Sequence, residues 1–353
     1  LAKLTLIDDE DWRVNMENLT AIVILNFNGQ KYLDQFLPLV IRYQESAELY
    51  VADNGSTDNS LAFLRENYPQ IKIIAIPQNK GFSTGYNIAL GQIKAKYYVL
   101  LNSDIELTEG WLKPMLDWME KNPKTAACQP KIKAYKRKNF FEHAGAAGGF
   151  IDFLGYPFCR GRIFEGIEED YNQYQTSSEI FWATGACMLI RADLYHQLGG
   201  LDDDFFAHME EIDLCWRLKR RGHQIFYIQE STVYHVGGGT LSYQSPFKVF
   251  LNFRNNLALL TKNLPKSRLY QVLLIKLMLD LLAFTFFLIK GHPSSAWAVL
   301  KAYFSFYSRF NHWYKKRDNG PYLKKLSGVL QQSVVYQHFI KGKKTFKELE
   351  KWF

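Results

Sequence analysis

YYVLLNSDIE, residues 97–106, decides how the chain is read. Tyr97 to Leu101 carry aromatic and apolar side chains without a polar break, as in a strand buried on both faces, and the polar run Asn102, Ser103, Asp104 begins where such a strand stops. A carboxylate just beyond the end of a buried strand is well placed to hold a divalent cation, because neighbouring oxygens converge there while one side stays open. Asp104 is therefore the first candidate ligand; a solvated turn is the plainer alternative.

Upstream, the same unit repeats. Thr20 to Leu25 (TAIVIL) is followed by the turn Asn26 to Gly29 and a helix pattern from Gln30 to Arg42. Leu49 to Ala52 leads into DNGSTDNS, residues 53–60, where Ser56, Thr57 or Asp58 can cap a helix running to Asn67. Ile71 to Ile76 is a third strand, followed by QNKGFSTGYN, residues 78–87, and a helix to about Lys94. Strand, polar turn and helix in repetition predict an α/β fold: a parallel sheet with right-handed crossovers, whose ligands gather at the carboxyl ends of the strands. Gly81, Gly85 and Gly91 lack the dinucleotide spacing, and no lysine-serine phosphate loop occurs, so a Rossmann dehydrogenase is disfavoured. Gly81 suits either a positive φ or close approach of a ligand to the backbone.

A chain of 353 residues can bury a sizeable core and predicts two or three structural units. Its 26 Phe, 21 Tyr and 8 Trp suit ring stacking on sugars or bases, ordinary core packing, or a membrane surface. Cys128, Cys159, Cys187 and Cys215 are too evenly spread for a zinc pattern and no secretory signal precedes them, so a reducing cytosol is the simpler expectation. Residues 1–15, acidic and preceding Met16, read as a lead-in or cloning remnant. Charge divides sharply: residues 241–353 hold 19 Lys and Arg against 4 Asp and Glu, the remainder 24 against 31. A basic tail with apolar and aromatic runs points to an anionic membrane surface, or to a solvated basic face; with no nucleic-acid motif beside it, nucleic acid is not expected.

Downstream, Phe140 to Ser178 shows little periodicity and reads as a loop insertion over the site. Phe181 to Arg191 (FWATGACMLIR) reads as a strand, with Trp182 free either to stack on a sugar face or to pack in the core. In AHMEEID, residues 207–213, Glu210 and Glu211 open a helix to about Arg221, where the helix dipole favours acids; adjacent acids also split their pKa values, leaving one a better proton acceptor. Asp213 faces another side and can pair with Arg217. His235 follows a strand-like run, with Gly237 to Gly239 behind it. Leu269 to Ile289 is apolar on nearly every side, interrupted by Lys276 and Asp280, which can pair four residues apart; it lies on a membrane, spans one, or is buried.

AIVILNFNG, VADNGSTDNS, NKGFSTGYN, LLNSD, GGLDDDFFAHMEEIDLCWRLKRRGH and VYHVGGGT, in this order over about residues 20–262, resemble the family 2 inverting glycosyltransferases, particularly their rhamnosyltransferase-like branch. The resemblance implies a GT-A fold (that of nucleotide-diphospho-sugar transferases) with a mainly parallel, Rossmann-like sheet flanked by helices. It implies a catalytic domain over residues 16–262 and a helical, basic, membrane-surface region over 263–353. Asn26 and Asp53 would border the donor nucleobase, Lys80 and Gly81 the ribose and diphosphate, and Asn102, Ser103 and Asp104 would fill the DXD position, with Asn in place of the first acid. Asp104 and His235 would hold a divalent metal, Mn or Mg, and Glu211 would be the base, with Glu replacing the more usual Asp. Glu210 and Trp182 would meet the acceptor, and Arg254 to Asn256 would lie near the donor phosphates. The implied function is inverting transfer of a sugar from a UDP- or dTDP-sugar, dTDP-rhamnose among the candidates, to a glycan or lipid-linked acceptor in cell-surface polysaccharide synthesis. It would take place at the cytoplasmic face of the membrane. The alternative is a non-catalytic nucleotide-sugar-binding protein on the same scaffold.

Overall fold

The computed structural model describes residues 20–142, 145–237, 245–317 and 325–353. The lead-in at residues 1–15, together with Gly238 and Gly239, lies outside these. In chain order the strands are β1 (Thr20–Asn26), β2 (Glu48–Asn54), β3 (Lys72–Ile76), β4 (Tyr97–Asn102), β5 (Ile105–Leu107), β6 (Thr125–Ala134), β7 (Arg137–Phe141), β8 (Gly149–Asp152), β9 (Pro157–Cys159), β10 (Arg162–Ile163), β11 (Gly166–Ile167), β12 (Ser178–Ile180), β13 (Cys187–Arg191), β14 (Gln224–His235) and β15 (Val329–Leu330). The principal helices are α1 (Gln30–Tyr43), α2 (Ser60–Asn67), α3 (Gly81–Leu90), α4 (Lys113–Lys121), α5 (Ala192–Gln197), α6 (Glu210–Arg220), α7 (Pro246–Asn263), α8 (Lys266–Ile289), α9 (Pro293–Ser308), α10 (Phe310–Lys315) and α11 (Val334–Phe339).

The large sheet runs β12-β14-β6-β13-β4-β1-β2-β3, with β5 on β14 and β7 on β6. Its first half is the parallel array the repeats predict: β1 pairs in parallel with both β2 and β4. β4 lies inside, flanked by β1 and the antiparallel β13, so Tyr97 to Leu101 are all buried, which is why no polar residue interrupts them. Helices cover both faces. In α1 the buried stripe is Leu33, Phe36, Leu37 and Val40, the spacing of one helical face.

Three expectations are corrected. Residues 140–178 are not a loop insertion: β8 to β11 join β15 in a second, five-stranded sheet, built from strands of two to four residues that are too short to show alternation. The strand expected over 181–191 begins only at Cys187. α3 ends at Leu90, where Gly91 caps it, not near Lys94.

The tail closes onto the catalytic half. β15 pairs with β8, and Phe346 and Phe353 pack on Phe150 and Phe158. In α8, Leu269, Val272, Leu273, Lys276 and Asp280 face the protein, while Tyr270, Leu274, Met278, Leu282, Phe286 and Ile289 are exposed. The polar pair is fully accommodated. Lys276 Nζ lies 2.7 Å from Asp280 Oδ1, and the Tyr156 and Tyr303 hydroxyls donate to Asp280 at 3.2 and 2.8 Å.

A second buried ionic knot fixes α6. Asp213 is wholly buried and accepts from Arg217 Nε at 2.8 Å, Lys262 Nζ at 2.9 Å and Asn263 Nδ2 at 2.8 Å. Burial would raise its pKa, but Lys262 and Arg217 outweigh that and hold it well below the usual carboxylate range. Because the folded pKa is depressed, this stabilisation is present above the unfolded value, about 3.9, and is lost as the pH falls below it. Lys262→Ala leaves a buried carboxylate short of a cation and is expected to cost about 3–5 kcal/mol, read as a lowered urea midpoint at pH 7; an unchanged midpoint would show the knot to be energetically idle.

Candidate active site

The site is built where β4 ends. Asn102 closes the strand, and Asn102 N donates to Ala186 O at 2.9 Å. The chain turns through Ser103 and Asp104 into β5, which pairs antiparallel with the end of β14 in the register His235 with Ile105. That pairing carries His235 across 131 residues of sequence to the metal candidate: its Nε2 lies 3.1 Å from Asp104 Oδ1, and Val236 N donates to Asp104 O at 3.1 Å. The other ring nitrogen, Nδ1, is 3.2 Å from Glu142 Oε2. Burial alone would lower the imidazole pKa, but the carboxylates of Asp104 and Glu142 prevail and raise it to about 10. Glu142 was not legible in the sequence. It lies at the start of a segment without periodicity, and only the fold brings it to His235.

Among the described residues no three His, Cys, Asp or Glu side chains form a ready cage for an ion. The donor set nevertheless fits a hard divalent cation that also takes oxygens from a ligand, with the ion displacing the proton that the imidazole otherwise holds between the two carboxylates. One carboxylate and one imidazole converge, and a second carboxylate fixes the ring from behind, the arrangement in which outer partners orient metal-binding histidines.

At the ends of β1 and β2, Asn26 and Asp53 are both buried, as adjacent partners in the β1–β2 register. Asn26 Nδ2 donates to Asp53 Oδ1 at 3.0 Å and Ser56 N to Asp53 Oδ2 at 3.0 Å, so the carboxylate is fixed in place by its own turn. Asn26 Oδ1 has no partner among the described residues. A Cβ on Gly29 would stand 2.3 Å from that oxygen and 3.3 Å from Ser103 Oγ, which sets the Asn26 pair beside the Asn102–Asp104 turn. Lys80 is exposed at the start of α3, its backbone held by Asn54 Oδ1 at 3.0 Å. Gly81 has φ +79°, and a Cβ there would meet Phe206 O at 2.6 Å. Both a positive φ and a close approach apply to this glycine, but what approaches is the chain's own Phe206.

Glu211 lies beside the segment Thr184–Ala186: a Cβ on Gly185 would stand 2.9 Å from Phe82 and 4.0 Å from Glu211 Cβ, and the neighbouring Ala186 O accepts from Asn102 N. The Oε2 atoms of Glu210 and Glu211 are buried and lack hydrogen-bond partners among the described residues. Burial pushes the Glu211 carboxyl up to about 7. Burial and the Glu211 charge push Glu210 well above its ordinary value. The two acids are thus separated, with Glu211 the one that ionises near neutral pH.

The loop before these acids is strained. Phe206, His208 and Met209 have φ of 66°, 69° and 77°, conformations costing about 1–3 kcal/mol each. Opposing this, Asn255 Nδ2 donates to the carbonyls of Phe205, Ala207 and His208, Arg254 Nη2 to those of Asp204 and Phe205, and the amides of Phe82 and Ser83 to Phe206 O. These bonds, worth about 0.5–1.5 kcal/mol each, offset the strain. Arg254 and Asn255 are therefore committed to the loop and the buried Asn256 to Gly155 O, and the expectation that these three residues line the donor phosphates is corrected. Trp182 is corrected too. It is buried, its Nε1 donates to Phe150 O at 2.9 Å, and a Cβ on Gly149 would stand 2.2 Å from its ring, so it packs as core and offers no face to a sugar.

The helix-flanked α/β sheet thus places an acid and an imidazole together beyond β4, at the carboxyl ends of its parallel strands, where ligands gather in such sheets. The family model for glycosyl transferase family 2 matches residues 21–199, and the chain belongs to that family: it is a glycosyltransferase of GT-A fold. It is 31% identical over 236 residues to an uncharacterized glycosyltransferase of Haemophilus influenzae, covering 64% of this chain and 69% of that protein. It is 24% identical over 237 residues to the N-acetylglucosaminyl-diphospho-decaprenol L-rhamnosyltransferase of Mycobacterium tuberculosis, covering 62% and 76%. The crystal structure of GalNAc-T7 with UDP, GalNAc and Mn2+ superposes with a TM-score of 0.54 at 15% identity. It covers 70% of this chain and 48% of that one, a likeness of fold alone.

Proposed function

We propose that this chain is an inverting, metal-dependent glycosyltransferase that moves a sugar from a UDP- or dTDP-sugar to a glycan or lipid-linked acceptor in cell-surface polysaccharide synthesis. The observation that carries the reading is the 3.1 Å contact of Asp104 with His235 at the end of β4, with the buried Glu211 carboxyl, whose Oε2 lacks a partner among the described residues, beside the Thr184–Ala186 segment. The named activity of the mycobacterial relative supports L-rhamnose and a polyprenyl-diphosphate acceptor as first candidates.

In this reading Asn26 and Asp53 border the base, Lys80 reaches the diphosphate, and the Asn102–Asp104 turn faces the bond that breaks. Asp104 and His235 would hold the divalent cation, which when bound supplies Lewis-acid neutralisation of the departing diphosphate. Glu211 takes the proton of the acceptor hydroxyl, whose oxygen attacks the anomeric carbon from the side away from the nucleotide. One displacement inverts that centre, and the proton remains on Glu211. Glu210, protonated beside it, is available to donate to the acceptor. The test is nucleotide release from a panel of UDP-, dTDP- and GDP-sugars with manganese or magnesium and polyprenyl-diphospho-sugar acceptors. Binding of a nucleotide without release from any donor would favour the non-catalytic alternative.

The exposed apolar ridge of α8 continues on α9 with Trp297, Leu300, Phe304 and Tyr307, beside exposed Lys266, Lys290 and Lys301. α8 is long and apolar enough to cross a membrane. Its charged pair, however, is spent on Tyr156 and Tyr303, which favours a helix lying in the interface with its outer face in lipid. In this reading the protein attaches peripherally, at the cytoplasmic face. Vesicles with anionic phosphatidylglycerol are expected to carry the protein to the top of a flotation gradient, less so at high salt, each near-surface cation contributing about 1 kcal/mol. Leu282→Asp with Phe304→Asp should abolish flotation, and a protein that stays at the bottom with every lipid would refute the attachment.

A further inference from the structure

The loop that delivers Glu211 is shaped from outside itself, by one face of α7. Asn255 is fully buried, and its Nδ2 lies 3.0, 2.8 and 2.7 Å from the carbonyls of Phe205, Ala207 and His208. Its Oδ1 accepts from Arg254 Nε at 2.8 Å, which fixes the amide so that its donors face the loop. Seven and eight residues on, Lys262 and Asn263 hold Asp213 in the first turn of α6. Glu210 and Glu211 thus lie between two points pinned by the same helix, immediately after two left-handed residues, His208 and Met209. A chain free of Asn255 would relax those φ values, and the carboxylate two residues later would swing with them.

We propose that Asn255, oriented by Arg254, is a positioning residue for the transfer reaction: it sets the backbone turn that aims the Glu211 carboxylate at the acceptor hydroxyl. This deepens the assignment of Glu211 as base and rests on it. Asn255 touches neither donor nor acceptor in this account and acts through the loop alone.

Asn255→Asp tests it, because the replacement keeps size and can still accept from Arg254 but turns an oxygen toward three carbonyls. Asn256→Ala is the control. Asn256 is equally buried in the same helix, but its Nδ2 donates to Gly155 O at 3.0 Å, away from the loop. Hydrogen exchange is measured first, on full-length protein without donor. Asn255→Asp is expected to speed exchange of the 204–213 amides by about tenfold or more, while Asn256→Ala leaves them protected. Steady-state transfer follows, with the donor the panel selects. In Asn255→Asp, kcat should fall by about 10²-fold with the donor KM within about threefold, and the acidic limb of the kcat profile should move below pH 7 as water reaches Glu211. Unchanged exchange in Asn255→Asp overturns the proposal, as does equal loss in the control or a loosened loop with unaltered kcat and pH profile. Should Glu211→Gln retain full transfer, the base assignment fails instead, and the exchange comparison still decides whether Asn255 shapes the loop.

Discussion

Glu211→Gln is expected to lower kcat by about 10²–10⁴-fold, the range for removing a positioned general base, with the donor KM almost unchanged. The amide keeps the size of the side chain and the start of α6, so folding and nucleotide binding should survive. What it removes is the acceptor for one proton. The wild-type profile carries the complementary prediction. Burial raises the Glu211 pKa to about 7, so the base is protonated and idle at lower pH, and kcat should rise through that value as the carboxylate ionises. The sign matters, because an ordinary exposed glutamate would already be ionised by pH 5.5 and would give no limb there. Glu210 stays protonated while Glu211 ionises, so Glu210→Gln removes no charge over that range and should leave the limb near pH 7 and most of the rate. Transfer by Glu211→Gln at the wild-type rate, or a flat profile between pH 5.5 and 8, would remove Glu211 from the mechanism.

Asp104→Ala should be nearly as damaging, by about 10²–10³-fold in kcat/KM, comparable to losing one preorganised electrostatic contact to a developing charge. The readout that separates this from misfolding is calorimetric binding of UDP and dTDP with and without manganese. Wild type is expected to bind more tightly with the ion, whereas Asp104→Ala should bind weakly and equally in both conditions. His235→Ala should behave alike, because the two side chains touch and, in the proposed reading, would hold the same ion. Manganese-enhanced nucleotide binding that survives in both variants would place the ion elsewhere.

Much of this was readable in the residues because the parallel half of the sheet is built from long, uninterrupted runs. Thr20–Leu25 and Tyr97–Leu101 are buried on both faces and show it, and the polar turns after them declare the ligand-binding edge. The second sheet was not readable: β10 and β11 have two residues each and β15 closes from the other end of the chain, so no local period exists to detect. The site followed the same division. Asn26 and Asp53 lie at the ends of β1 and β2 and Asp104 on the turn directly after β4, three strands that the pattern reveals. Glu142 and Asn255 act through tertiary contacts over 93 and about 50 residues, invisible to spacing. Trp182 could have stacked or packed, and only the close approach of Gly149 decides for packing.

One irregularity in β14 governs more than its length suggests. Between Ile228 and Thr232 that strand advances four positions while β6 advances a single one, from Pro130 to Lys131. Side chains alternate between faces along a strand, so the three surplus residues reverse the parity of everything after them. Past the bulge the odd-numbered Val233 and His235, opposite Ile132 and Ala134, take the face that the even-numbered Ile228, opposite Pro130, holds before it. The side of the sheet on which the imidazole stands is thus set by three residues upstream of the histidine and not by the histidine itself.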